Sequence, residues 1–112
     1  MIRISILYPA TPGGRFDHDY YATVHIPLAL SLLGDAVRSV SVERGVSPGP
    51  PWPAPTYAAV CHFVCESLDA YLQALSPHMA RLQADLANYS DRPAILQVGE
   101  ITVDRVMAPP PP

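Results

Sequence analysis

The run Tyr57-Ala-Ala-Val-Cys-His-Phe-Val-Cys-Glu66 limits the possible folds more than any other stretch of this chain. It is apolar on nearly both of the faces that a period of two creates, so it reads as a strand from Tyr57 to Glu66. A strand of that kind needs cover on both sides of its sheet. Three further strands can share that sheet. Ile2, Ile4, Ile6 and Tyr8 alternate with Arg3, Ser5 and Leu7, and the segments Ala36 to Val46 and Ala94 to Val103 complete the set.

Two helical patterns separate the strands. Pro12-Gly13-Gly14-Arg15 breaks the first strand, and Asp17 then suits an N-cap. Asp19 falls in the first turn, where the macrodipole favours negative charge, and Phe16 can staple onto Tyr21. At 100° per residue, Tyr21, Val24, His25, Leu28 and Leu32 share one stripe, and Gly34 is a natural C-terminal stop. Pro27 conflicts with this pattern, because it removes the bond to the Thr23 carbonyl and should kink the helix. In the second helix Ser67 caps Leu68, Tyr71, Leu72 and Leu75. Ser76-Pro77 reads as a fresh N-cap and first position, restarting the helix through Met79, Leu82 and Leu86. The order β-α-β-β-α-β is the ferredoxin-like, split βαβ arrangement, an α+β fold with a four-stranded antiparallel sheet. Its helices cover one sheet face, so the doubly apolar strand calls for something on the other. A second copy of the chain is the simplest candidate.

Composition narrows the function classes. With 112 residues and 49% hydrophobic content, the chain suits one domain with one core. We read residues 1–106 as that domain and 107–112 as a proline-rich disordered tail. The formal net charge is -3, the seven basic residues are scattered arginines, and lysine is absent. A nucleic-acid surface or a polybasic membrane patch needs clustered cations, so neither partner is expected. No stretch approaches the roughly 18 apolar residues of a bilayer span, and no signal peptide pattern opens the chain, which points to the cytoplasm. Cys61 and Cys65 lie about 13 Å apart on a strand, too far for a disulfide, and are expected as buried free thiols. Five of the 14 prolines fall in the loop Ser47 to Pro55 and four form Pro109 to Pro112. Both segments should be extended. The loop is long for a hairpin and reads as a flap or a partner contact.

The most distinctive segment is Phe16-Asp17-His18-Asp19-Tyr20-Tyr21-Ala22-Thr23-Val24-His25-Ile26-Pro27-Leu28. Its aromatic, Asp, paired aromatics and His-x-Pro-Leu resemble the EthD family, named after a protein associated with ethyl tert-butyl ether degradation. Tyr8-Pro9 at the end of the first strand, Ser76-Pro77-His78 and Asn88-Tyr89 fit the same pattern, and the resemblance spans roughly residues 1 to 103. It implies a dimeric α/β barrel, in which two four-stranded sheets pack together with helices outside. Relatives in that superfamily include muconolactone-type isomerases, cofactor-free monooxygenases of polyketide pathways and polyketide cyclases. They bind small, largely apolar molecules between helix and sheet, so the resemblance implies a small apolar ligand in such a pocket. Some larger members of the superfamily use haem with a histidine ligand, but nothing in this short chain supports it independently, and no cofactor is expected.

The residues of this segment also carry chemistry of their own. His25 sits at the edge of the apolar stripe, where partial burial suits an imidazole to proton transfer. Tyr21, one turn away, can orient it or donate to a substrate oxygen. The alternative is a hydrogen-bonded structural histidine among core tyrosines. Asp17 is two turns from His25 and serves as the cap. We take His25 and Tyr21 as candidate catalytic residues, with Tyr20, His62, Val24 and Leu28 as candidate substrate-binding residues. His62 faces opposite to Cys61, Phe63 and Cys65 and could line the pocket or the dimer interface. Nothing nearby in sequence would activate either thiol. His18 and His78 read as surface residues of helix first turns, and no His, Cys or carboxylate spacing matches a metal site. Thr11 to Arg15 precedes a helix but lacks the P-loop and dinucleotide patterns, so turn chemistry explains its glycines. An RNA-binding module is excluded by Val60-Cys61-His62-Phe63-Val64, which lacks the basic and aromatic residues used to stack bases. The functions left are a cofactor-independent acid–base enzyme for a small carbonyl, lactone or aromatic compound, and a non-catalytic dimer that binds a small ligand.

Overall fold

The computed structural model describes all residues, 1–112. Strand β1 (Ile2–Pro9) sits inside a four-stranded sheet with β2 (Ser39–Arg44), β3 (Tyr57–Cys65) and β4 (Ile95–Glu100). The spatial order is β2-β3-β1-β4 and every neighbouring pair is antiparallel, which is the ferredoxin-like βαββαβ topology. Strands β2 and β4 are shorter than their periodicity suggests. A 3-10 turn at Gly34–Ala36 occupies the start of the expected second strand, and β4 stops where Glu100 meets Ile2, near the start of its only partner. No regular secondary structure follows Glu100, and no helix is long and apolar enough to cross a membrane.

The register sorts the side chains cleanly. Ile4 pairs with Phe63, Ile6 with Cys61 and Tyr8 with Ala59, and these residues form the face on which the helices pack. Cys61 and Cys65 lie on that face as buried free thiols. The other face carries Arg3, Ser5 and Leu7 beside Val64, His62 and Val60. It has a polar row through its middle, since Ser41, His62, Ser5 and Gln97 stand opposite one another across all four strands.

The first helical stretch begins at α1 (His18–Tyr20), where the Asp17 carboxylate accepts from the Tyr20 amide at 3.0 Å. Phe16 packs on Tyr21 with ring centroids 5.1 Å apart, as the staple requires. The next five residues, Tyr21–His25, wind as a π-helix before α2 (Ile26–Leu33) resumes the α form. The π turn answers the conflict posed by Pro27. In an α-helix the proline ring would collide with the Thr23 carbonyl and leave it without a donor. Widening the preceding turn, with the Ile26 amide bonding back to Tyr21, removes that clash.

The inserted residue rotates everything downstream by about 100°. The buried face therefore runs through Tyr21, His25, Ile26, Ala29 and Leu33. The stripe expected from the sequence is displaced: Val24 is exposed, and Leu28 and Leu32 are half-buried. Gly34 ends the helix at φ +57°, and its amide bonds to the Leu30 carbonyl.

The second helical stretch opens at Ser67, whose hydroxyl caps α3 (Leu68–Leu75) by accepting from the Ala70 amide at 3.1 Å. A 3-10 turn at Ser76–His78 joins it to α4 (Met79–Ala84). Pro77 marks this restart as expected, but Ser76 makes no side-chain cap. A final 3-10 turn, Asp85–Asn88, brings the chain back to the sheet.

Candidate functional site

Both helical stretches and the helix-side face of the sheet enclose a partly open cavity of about 670 Å³. Of its 21 lining residues 18 are apolar or tyrosine, and none is Asp, Glu or Arg. Such a volume and lining suit a small organic ligand. The polar groups concentrate where His25, Tyr21, Tyr8 and Tyr89 meet. Apart from Tyr71 and Gln83 the rest of the wall, from Leu33 through Leu68, Leu72 and Leu75 to Val98, is apolar.

His25 is 8% exposed and held by side chains at both ring nitrogens. Nδ1 lies 2.9 Å from Asp85 Oδ2. An ionised carboxylate only accepts, so Nδ1 carries a hydrogen, and in the neutral ring Nε2 is then the acceptor. Tyr89 donates its hydroxyl to Nε2 over a long 3.3 Å, and the Tyr89 oxygen in turn lies 2.9 Å from the Tyr8 hydroxyl. Asp85 is anchored from the other side. Its Oδ1 accepts from the Tyr20 hydroxyl at 2.6 Å and from the Asn88 amide at 2.9 Å. The result is a continuous path from Asp85 through His25 and Tyr89 to Tyr8, ending at the cavity wall.

The electrostatics keep each member in its role. Burial pulls the Asp85 carboxyl upward, but the bonds from Tyr20, Asn88 and His25 outweigh it and hold the group below the usual carboxylate range. Burial, reinforced by the neighbouring Tyr8 hydroxyl, pushes the Tyr89 phenol above its ordinary value. Burial raises Tyr8 as well, against the hydrogen bonds it makes. Both tyrosines are therefore neutral donors near pH 7. Burial also drives the Cys61 thiol up to about 12, which leaves it protonated and inert as a nucleophile.

The sequence-derived residues are distributed unevenly. Tyr21 and His25 both line the cavity, and their rings stack with centroids 5.4 Å apart and planes 13° from parallel. Tyr21 is almost wholly buried, and burial raises its phenol strongly. Tyr20 does not line the cavity; its hydroxyl points at Asp85. Val24 and Leu28 stand outside the lining, displaced by the π turn. His62 lies on the opposite sheet face, with Nδ1 2.8 Å from the Ser5 hydroxyl and Nε2 3.3 Å from Glu43. His18 is half-buried rather than exposed, packed against Phe16 at 4.8 Å, and His78 is half-buried too.

Asp85, Tyr89 and Tyr8 are the site residues that periodicity missed. Tyr8-Pro9 and Asn88-Tyr89 are part of the motif resemblance, and that was the available signal for two of them. Nothing in the local sequence marks Asp85. The glycine turn before α1 is structural, since the Arg15 guanidinium is taken up by the carbonyls of Ala87 and Ser90.

The EthD domain matches residues 15–93, a span that contains His25, Asp85 and Tyr89. The chain belongs to the EthD family. An EthD-like protein from Ralstonia eutropha JMP134 is similar at 36% identity and a TM-score of 0.88, over 93% of this chain and 94% of that one. An EthD family protein from Bacillus halodurans C-125 shares the fold at 19% identity and a TM-score of 0.67, over 91% and 99% of the two chains. A dimeric protein of ferredoxin-like fold from Bacteroides fragilis NCTC 9343 matches at 14% identity and a TM-score of 0.54, over 89% and 94%. No curated protein matches this EthD chain.

Proposed function

We propose that this EthD protein is a cofactor-independent enzyme that moves a proton on a small, apolar carbonyl, lactone or aromatic compound. The observation that carries this reading is the Asp85–His25–Tyr89 path opening on a mostly apolar cavity. His25 Nε2 is the base. It takes a proton from the carbon beside a ligand carbonyl, or from a phenol, and the electron pair left behind moves onto the ligand oxygen. As the ligand enters, Tyr89 gives up its long 3.3 Å bond to Nε2 and, backed by Tyr8, donates its hydroxyl to that oxygen as its charge develops. Asp85 balances the imidazolium that forms, and Tyr20 and Asn88 position Asp85. Tyr21 supports the ring of His25 by stacking. Returning the proton to another atom completes an isomerisation. In a lyase the electron pair instead expels a leaving group from the neighbouring carbon. In a monooxygenase the carbanion adds molecular oxygen to give a hydroperoxide that loses water and leaves a new carbonyl.

The protein acts as a homodimer in this reading. Its exposed area is 7576 Å², whereas a compact monomer of 12.1 kDa exposes about 6,000 Å². Part of the excess lies in the extended residues after Glu100, and part in the sheet, where β2 is exposed along its whole length. The sheet face that carries Val60 and His62 supports the packing of a second copy, and His62 then belongs to that interface. Size-exclusion chromatography with light scattering tests the dimer. The free thiols Cys61 and Cys65 support a reducing compartment such as the cytoplasm.

The chemistry is tested by following hydrogen–deuterium exchange into a panel of aryl ketones and lactones in heavy water by NMR. The enzyme accelerates exchange next to the carbonyl of at least one compound, and His25→Ala removes the acceleration while circular dichroism stays native. Undiminished exchange in a folded His25→Ala variant sinks the proposal. A second reading, a non-catalytic binding protein, is favoured by how few polar groups line the cavity. Tight binding across the panel with no exchange selects it.

A further inference from the structure

We propose that the cavity admits neutral carbonyl compounds and protonated phenols and rejects anions, with Asp85 as the residue that turns anions away. The inference rests on the reading of the cavity as the ligand site and adds its charge selectivity.

Proteins that bind carboxylates or phosphates place Arg, Lys or a helix N-terminus against them. None of the 21 lining residues is arginine, and the chain has no lysine. The polar atoms available to a ligand come from His25, Gln83 and tyrosine hydroxyls. The Arg15 guanidinium, which approaches the end of the last 3-10 turn, is exposed and engaged by the carbonyls of Ala87 and Ser90. An anionic head group entering this wall gives up its water and meets no counter-charge.

It meets a like charge instead. Asp85 sits directly behind His25, and its carboxylate is fixed by three donors: Tyr20, Asn88 and His25. A ligand atom placed against His25 Nε2 lies about 8 Å from that carboxylate, which is the 2.9 Å bond, the width of the imidazole and one contact distance together. At an effective dielectric of about 20, the repulsion at this distance corresponds to a roughly 30-fold loss of affinity. A neutral ketone escapes both penalties and accepts hydrogen bonds from Tyr89 or Tyr8. The same carboxylate that orients the base thus selects the ligand's charge.

The test is calorimetric titration at pH 7.5 of a matched pair, 2-acetylnaphthalene and 2-naphthoate, which share a ring system and differ in the charge of the head. The ketone binds at least 30-fold more tightly than the carboxylate, and Asp85→Asn narrows the gap on the order of tenfold. Equal or tighter binding of 2-naphthoate to the native protein overturns the selectivity. A gap unchanged in folded Asp85→Asn removes Asp85 from it. If neither compound binds, the reading of the cavity as a ligand site falls, and this inference with it. Selective binding without catalysed exchange overturns only the enzymatic proposal.

Discussion

Replacing Asp85 with alanine takes away three hydrogen bonds at once, and the structure allows the cost to be apportioned. Bonds to a charged partner contribute about 1.5–3 kcal/mol each. Asn88 is exposed, so water replaces its lost acceptor at little cost. The Tyr20 hydroxyl lies at the surface edge of the site, so water takes up its lost acceptor as well. His25 is buried and has no second acceptor for Nδ1, so about 2 kcal/mol is lost there. The total is about 2 kcal/mol. At about 2.1 cal/mol/K of unfolding entropy per residue, a 112-residue chain then loses about 9 °C in Tm. Thermal melting followed by circular dichroism at pH 7.5 reads this directly.

The pH dependence supplies an independent check on Asp85. Its carboxyl titrates lower in the folded protein than in the unfolded chain, so the unfolded chain binds the proton more readily. The stability Asp85 supplies is fully present above the ordinary carboxylate value near 3.9 and is lost as pH falls through the depressed folded value. The gap in Tm between the native protein and Asp85→Ala therefore closes in strong acid. A drop of less than about 4 °C at pH 7.5, or a gap that stays constant down to pH 2, would refute the anchoring of His25 by Asp85.

Three further outcomes follow from local structure. Gly34→Ala forces a side chain into a backbone conformation with φ +57° and ψ -134°, which glycine alone adopts readily; its Cβ meets nothing within 4 Å, so the cost is conformational, about 1–3 kcal/mol by chemical denaturation. Ser67→Ala removes the N-cap of α3 and lowers stability by about 1 kcal/mol, or about 4 °C in Tm. Cys61 and Cys65 stay unlabelled by a thiol reagent at pH 8 in the native protein and react together once it unfolds, because both are buried and the Cys61 thiol is pushed up to about 12.

The parts of the fold that depend on neighbours in sequence were legible. The alternation of β1, the Asp17 and Ser67 caps, the Phe16 staple and the Gly34 stop are each set within a few residues, and each occurs where the sequence puts it. The register after Pro27 was not legible. A proline inside a helical pattern announces a conflict, but a kink, a break and a widened turn all resolve it, and only the last rotates the downstream face. The site was half legible for a related reason. His25 and Tyr21 belong to one turn and reveal each other by spacing, whereas Asp85 lies 60 residues from His25 and reaches it only through tertiary packing. Tyr8 and Tyr89 come from a strand end and a turn that meet only once the sheet has formed.

The junction where the two helical stretches meet is clasped several times over. The Asp17 amide bonds to the Tyr89 carbonyl at 2.7 Å, Phe16 forms a bridge with Ser90, and Arg15 holds Ala87 and Ser90. The His25–Asp85 bond lies within this clasp, so the polar end of the cavity is stiff. Away from it the cavity is lined by Leu33, Leu68, Leu72 and Val98, apolar side chains held by undirected dispersion contacts alone. Compliance is thus graded along the cavity: fixed around His25, yielding among the leucines.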